Sequence, residues 1–258
     1  MRLETLFIGH PIKILDRVDS TNSTAFDVIR ESSPAEGYVI RAIEQVAGRG
    51  QRGTSWASEP GANLTFSIIL RPHFLPVPNQ FQLTKAVALG IAGFISHYLD
   101  DHKNVSIKWP NDIYVKNYKI GGVLIENVLE RSTLKFSVIG IGINVNQTVF
   151  DPSLPNPISL KTLTNKDFNL DDCLYLLCSF IEKYYLVLRS SNYEQIDEAY
   201  LNLLYRRGTE GNFRLNGEAI RGTITGVNPL GHLVLEKKTN KDSYDIIHVS
   251  DLKQLVFL

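Results

Sequence analysis

Glu44 to Ser58 reads Glu-Gln-Val-Ala-Gly-Arg-Gly-Gln-Arg-Gly-Thr-Ser-Trp-Ala-Ser. Gly48, Gly50 and Gly53 supply backbone that can take positive φ and come close to a ligand, and Arg49 and Arg52 supply permanent charge in a planar fork suited to phosphate or carboxylate. Such a loop is fitted to close over an anion, although a solvated surface loop can have the same composition. Two further clusters weigh towards chemistry. Lys108-Trp109-Pro110-Asn111-Asp112 is followed by Lys119-Ile120-Gly121-Gly122-Val123-Leu124-Ile125-Glu126, and then by Gly140-Ile141-Gly142-Ile143-Asn144-Val145-Asn146.

In this order the motifs resemble those of the biotin protein ligases. That family carries a Gly-Arg-Gly-Arg-x-Gly-Arg-x-Trp loop, then Lys-Trp-Pro-Asn-Asp, then a Lys-(Ile/Leu)-(Ala/Gly)-Gly strand, then Gly-x-Gly-(Ile/Leu)-Asn. The match runs from about Asp19 to Asn146, and a Trp-Pro-Asn-Asp tetrapeptide among four ordered motifs is specific.

The resemblance implies a two-step ATP-dependent reaction. Biotin carboxylate attacks the α-phosphate of ATP to give biotinyl-5′-AMP and pyrophosphate, and a lysine of a biotin carboxyl carrier protein, part of a biotin-dependent carboxylase, then takes the biotinyl group. Both steps need negative charge on phosphate to be neutralised, which is work for arginine, lysine and Mg²⁺ held through phosphates rather than for a nucleophilic side chain. The sequence shows no Ser/His/Asp or Cys/His triad pattern, in keeping with that chemistry.

Lys119 is the expected electrostatic residue, facing the biotin carboxyl and the α-phosphate, with Gly121 and Gly122 letting the adenylate lie against the backbone. Ser20, Thr21 and Asn22 precede an amphipathic run from Ala25, where such residues ordinarily cap a helix. The family uses Ser-Thr-Asn at this place on the ureido ring, and a ureido group, with one acceptor and two donors, suits short hydroxyl and amide side chains. Gln45 is expected at the same ring, with Arg49, Gly50 and Gln51 closing over biotin. Arg49, Arg52, Trp56, Lys108, Asn111 and Asn144 are assigned to ATP or adenylate. Trp56 could stack on adenine or anchor the loop. Asp112 could accept the acceptor amine's proton, help with Mg²⁺ or tie down its turn; only roughly one lysine amine in a thousand is neutral at pH 7. Gln51 and Thr54 depart from the family, standing where arginines are usual, and the loss of charge is expected to weaken phosphate retention.

The elements that must position these residues can be read from periodicity. Tyr38–Ile43 reads as a strand ending where the glycines begin, and Leu64–Leu70 as another. Ile12–Leu15 suggests a short edge strand. Phe81 to Leu99 has apolar residues at helical spacing and reads as a buried scaffold helix; Leu170 to Leu188 and Tyr193 to Leu204 are also helical. Val105–Trp109, Ile113–Val115, Ile120–Glu126 and Leu134–Asn144 are β-type runs separated by turn residues, and Phe150 to Asn156 reads as a loop. The expected fold is therefore α+β, with a mixed or antiparallel central sheet and flanking helices. The resemblance refines this to the biotinyl/lipoyl ligase fold, akin to class II aminoacyl-tRNA synthetases. From about Arg207 short strands and turns suggest a small β-barrel, which the family carries as an SH3-like C-terminal domain; the expected boundaries are 1–206 and 207–258.

Lys plus Arg and Asp plus Glu both number 27, so no global charge draws the chain to nucleic acid or an anionic membrane. Cys173 and Cys178 do not share a helix face and read as buried thiols of a reducing compartment. No Cys/His pair has zinc-ligand spacing. Met1 to Ile8 lacks a leader pattern, and the apolar run Ala86 to Ile95 is about half a membrane span. The expectations are a cytoplasmic monomer or homodimer that engages neither DNA nor membrane. The stretch preceding Asp19 is expected to be too short for a DNA-reading helix-turn-helix. The rival readings are a lipoate protein ligase, a biotin-sensing repressor and a biotin-binding protein without catalysis.

Overall fold

The computed structural model of the protein describes residues 5–100, 104–240, 243–251 and 254–258. Met1 to Glu4, part of the stretch read for a leader, lie outside them, as does the side chain of Arg52.

A seven-stranded sheet dominates. Its strands are β1 (Ile12–Val18), β2 (Tyr38–Gln45), β3 (Leu64–Leu70), β4 (Val105–Lys108), β5 (Asp112–Val115), β6 (Tyr118–Glu130) and β7 (Thr133–Ile143), in the spatial order β1-β2-β3-β7-β6-β5-β4. β1 runs parallel to β2 and the remaining pairs are antiparallel, so the sheet is mixed, as the hairpin spacing suggests. β3, Leu-Thr-Phe-Ser-Ile-Ile-Leu, is buried along its whole length, because its mostly apolar run is covered on both faces.

On one face lie α2 (Phe81–His97), α4 (Leu170–Arg189) and α5 (Tyr193–Leu203). α2 and α4 approach closely because an added Cβ at Gly90 of α2 would stand 2.7 Å from the Ile181 Cα. The large core formed there includes Phe66, Leu83, Ile91, Phe94 and Ile181. Each such side chain contributes about 1.5–3 kcal/mol when fully buried. On the other face α1 (Thr21–Glu31) covers a smaller core of Ala25, Ile40, Ile69, Phe136 and Val138. Strand alternation thus divides β7, with Val138, Gly140 and Gly142 on the α1 face and Ile139 and Ile143 in the larger core.

The chain then forms α3 (Leu160–Thr164), a short helix not anticipated from the sequence, and ends in β8 (Glu210–Leu215), β9 (Glu218–Val227), β10 (Leu233–Asn240), β11 (Ser243–Val249) and β12 (Leu255–Phe257). These strands pair antiparallel in the order β11-β10-β9-β8-β12. Among the described residues β11 and β12 do not pair, so this small sheet is open where a barrel was expected. Its apolar side, including Phe213, Ile224 and Leu235, belongs to the same buried cluster as the main core. Trp109 Nε1 donates to the Gly231 carbonyl at 2.8 Å and ties the two sheets together. Among the described residues no helix is long and apolar enough to cross a membrane. Cys173 and Cys178 are both buried and unbridged.

Candidate active site

The α1 face of the main sheet is not covered beyond the start of α1, and a cavity of about 290 Å³ opens there. The end of β2, the Gly/Arg loop, β6, β7 and the turn before β5 complete its wall.

Ser20, Thr21 and Asn22 stand at one end, all nearly inaccessible. Ser20 occupies the N-cap position of α1, but its side chain makes no capping bond. Gln45, from the end of β2, caps the helix in its place. The Gln45 Oε1 accepts from the Thr21 backbone N–H at 2.8 Å and from the Thr21 hydroxyl at 3.1 Å. Asn22 is fixed at both ends of its amide. Its Oδ1 accepts from Ser67 Oγ at 2.6 Å, and its Nδ2 donates to Glu126 Oε2 at 2.7 Å. The three-residue run therefore turns into the site instead of capping its own helix.

The loop itself is a small hairpin. Arg49 and Ser55 form a bridge, Gly50 N–H donates to the Thr54 carbonyl at 2.7 Å, and Trp56 N–H donates to the Gly48 carbonyl at 2.9 Å. A 3-10 turn, Gln51–Gly53, closes it, and the Thr54 hydroxyl donates to the Gln51 carbonyl at 2.8 Å. Of the three glycines only Gly53 has positive φ, at 82°. Gly48 and Gly50 are small for another reason, since an added Cβ would come within 2.4 Å of the Trp56 carbonyl oxygen and of Thr54 Oγ1 respectively. Their close approach is to the chain itself.

At the far end Lys119 Nζ lies 2.7 Å from Asp112 Oδ1 and 5.7 Å from the Trp56 ring centroid. The backbone of Lys119 is pinned on both sides: its N–H donates to the Asn156 carbonyl at 2.7 Å, and its carbonyl accepts from Ile158 N–H at 3.0 Å. Gly122 leaves the space beside Lys119 open, because an added Cβ would stand 3.2 Å from Asp112 Oδ1 and 3.6 Å from Nζ. The Trp56 indole lies against Gly142, whose missing Cβ would be 2.3 Å from Cε2. The indole packs as an anchor, and among the described residues its buried Nε1 has no hydrogen-bond partner.

Most residues singled out from the sequence meet in this cavity: Ser20, Thr21, Asn22, Gln45, Arg49, Gly50, Gln51, Trp56, Asn111, Asp112, Lys119 and Gly122 all line it. Three do not. Gly121 faces the opposite side of β6, where an added Cβ would strike Ile143, because neighbours on a strand point to opposite faces. Asn144, past the end of β7, donates to the Ile158 carbonyl at 3.0 Å and holds the segment that in turn pins Lys119. Lys108 points to the C-terminal sheet, with Nζ 4.6 Å from the Phe257 ring centroid and 5.1 Å from that of Tyr114. Burial lowers its pKa, with Asp112 opposing in part. Asn111 lines the wall, with its side-chain amide donating to the Val123 carbonyl.

Two polar residues of the site network were not singled out from the sequence. Ser67 is a hydroxyl inside a buried, mostly apolar strand, which is itself a signal. Glu126 follows Gly122 and Leu124 at the two-residue repeat that defines the site face of β6.

The profile of the biotin/lipoate A/B protein ligase family matches residues 14–144, a stretch that holds every one of these site residues. The chain belongs to this family. Among ligase relatives, the bifunctional ligase/repressor BirA of Bacillus subtilis (strain 168) is 29% identical over 239 residues, which cover 91% of this chain and 72% of its own. The biotin–acetyl-CoA-carboxylase ligase of Paracoccus denitrificans is 26% identical over 226 residues, covering 86% and 92%. The solved biotin protein ligase from Aquifex aeolicus in complex with biotin and ATP superposes with a TM-score of 0.75 over 95% of this chain and 97% of that one. At 24% identity that likeness establishes a shared ligase fold.

Proposed function

We propose that this protein is a biotin protein ligase, which activates biotin with ATP and passes the biotinyl group to a lysine of a biotin carboxyl carrier protein. The observation that carries this reading is the division of one cavity into a hydrogen-bonding end and a cationic end. Thr21, Asn22 and Gln45 sit at the first and Lys119 with Asp112 at the second. A ureido ring needs the first, whereas the disulfide ring of lipoate has no polar group to pair with it.

In the first step the carboxylate oxygen of biotin bonds to the α-phosphorus and pyrophosphate departs. Lys119, held in place by Asp112 and by its backbone bonds, stabilises charge that builds on the phosphoryl oxygens, and being fixed beforehand it costs no reorganisation during reaction. Arg49 adds a second cation from the hairpin, and the hairpin wall excludes water from the mixed anhydride.

In the second step the neutral amine of the acceptor lysine bonds to the acyl carbon, AMP leaves, and the amine loses a proton. Asp112 is the cavity carboxylate at the Lys119 end and is assigned to orient Lys119 first and to receive that proton second. Among the described residues no cluster of three or more His, Cys, Asp or Glu could hold a metal. A single carboxylate, Asp112, together with phosphate oxygens fits Mg²⁺, which keeps most of its waters and neutralises phosphate charge when bound. The proposed division at 206/207 leaves the cavity within the first unit and Trp109 at the junction.

The test is incubation with biotin, ATP, Mg²⁺ and a carrier domain, read as a mass gain on the carrier. Wild type modifies the carrier, and Lys119→Ala reduces the rate by about 10²–10³, the usual cost of one preorganised charge-stabilising donor. Unchanged transfer by that variant would remove Lys119 from its role.

A further inference from the structure

Each cation described in the cavity wall is paired with a carboxylate: Lys119 with Asp112, and Arg49 with Glu126. The second pair joins a hairpin to a sheet. Arg49 Nη2 lies 2.9 Å from Glu126 Oε2, and the same oxygen accepts from Asn22 Nδ2 at 2.7 Å. Glu126 stands on β6 opposite Val138, inside a ladder that runs from Gly121 to Glu130, so its backbone is rigid. The hairpin is internally bonded through Arg49–Ser55, Gly50–Thr54 and Gly48–Trp56, so whatever holds Arg49 holds the whole unit.

We infer that Glu126 is a positioning residue: it serves as a resident counter-ion that parks Arg49, and with it the hairpin, against the sheet until a substrate anion takes the guanidinium over. The ligase reading supplies the identity of that anion, a biotin carboxylate or adenylate phosphate, and the inference rests on it to that extent. The magnitudes favour an exchange. The Arg49 and Glu126 side chains are 42% and 29% exposed, so the pair is solvated, and solvated ion pairs are weak. The pair is described by a single contact, Arg49 Nη2 to Glu126 Oε2, whereas a phosphate can engage the same guanidinium through two parallel charge-assisted bonds. Glu126 keeps its bond to Asn22 throughout, and because a carboxylate only accepts, it keeps the Asn22 Nδ2 turned towards itself and Oδ1 towards Ser67. One carboxylate thereby sets both the ring-binding amide and the resting place of the closing loop.

The test is limited trypsin digestion of the full chain, following cleavage after Arg52, in wild type, Glu126→Gln and Arg49→Gln. Glutamine keeps an acceptor for Asn22 and removes the charge. Without substrate at low salt, both variants are cleaved about two- to five-fold faster than wild type, the range expected for losing a solvated ion pair. In molar salt, where such a pair is screened, the ratio falls towards one. With biotin, ATP and Mg²⁺ added, Glu126→Gln regains wild-type protection. Substrate-free cleavage of either variant at the wild-type rate would overturn the inference, and so would an excess that salt and substrate leave unchanged, since that is the mark of a general structural defect. The substrate-free arm needs no ligase activity, so a wild type that fails to biotinylate a carrier would defeat the proposed function and leave this result to be read separately.

Discussion

Asn22 lies on the bare backbone of Gly140: an added Cβ there would stand 2.4 Å from its Oδ1 and 2.9 Å from its Cγ. The strand contributes to the site by having nothing at that position. Gly140→Ala must push the Asn22 amide away, and because the obstacle is the end of a side chain the fold can accommodate it. The expected outcome is a KM for biotin raised about ten-fold or more, in line with about 1–3 kcal/mol for a lost buried hydrogen-bond partner, with the melting temperature little changed. Steady-state kinetics alongside thermal melting check this. A wild-type KM would mean that Asn22 does not face the substrate.

Trp109 belongs to the Lys-Trp-Pro-Asn-Asp motif yet spends its indole N–H on Gly231 of the C-terminal sheet. Trp109→Phe keeps most of the ring and leaves the Gly231 carbonyl without that partner. The expected cost is about 1–3 kcal/mol. That corresponds to a melting temperature lower by a few degrees for a chain of this size. Hydrogen exchange is expected to rise first in the β9–β10 turn; an unchanged melting temperature would contradict the tie.

Cys178 is pushed up from 9.0 to about 12, chiefly by burial, with the Glu182 charge adding to it. Between those values the unfolded chain has released the proton and the folded chain keeps it, so the folded state binds more protons and stability falls as pH rises above 9.0. The loss approaches about 1.4 kcal/mol per pH unit. Denaturant titrations on either side of that pH are expected to show a shallower decline for Cys178→Ala than for wild type. Equal slopes would mean that the thiol titrates alike in both states.

β3 was legible because it is local: it spans Leu64–Leu70 in the structure as its apolar run indicates. The Ser-Thr-Asn run, Gln45 and Lys119 lie far apart in sequence, and their convergence was legible only through the family's ordered motifs. The misplacements have physical causes. Gly121 and Gly122 are adjacent on a strand, so only one of them can face the cavity, and the two-residue repeat alone determines neither which one nor why the other must be small. Lys108 turns towards Phe257, on a three-residue strand near the C-terminus whose docking no local pattern announces. The Gly140–Ile–Gly142 alternation does mark a close approach, but the approaching groups are Asn22 and Trp56 of the protein itself. Ser20 illustrates a tertiary override: the cap residue is present, while Gln45 from a neighbouring strand satisfies the helix end.

The central claim is that Lys119, braced by Asp112, neutralises charge during activation of an acid recognised at the opposite end of the cavity. Exchange of label between pyrophosphate and ATP isolates that half-reaction, without any carrier protein. The expected result is exchange that depends on biotin, is not supported by lipoate, and falls by about 10²–10³ in Lys119→Ala. Exchange supported equally by lipoate, or retained in full by Lys119→Ala, would contradict it.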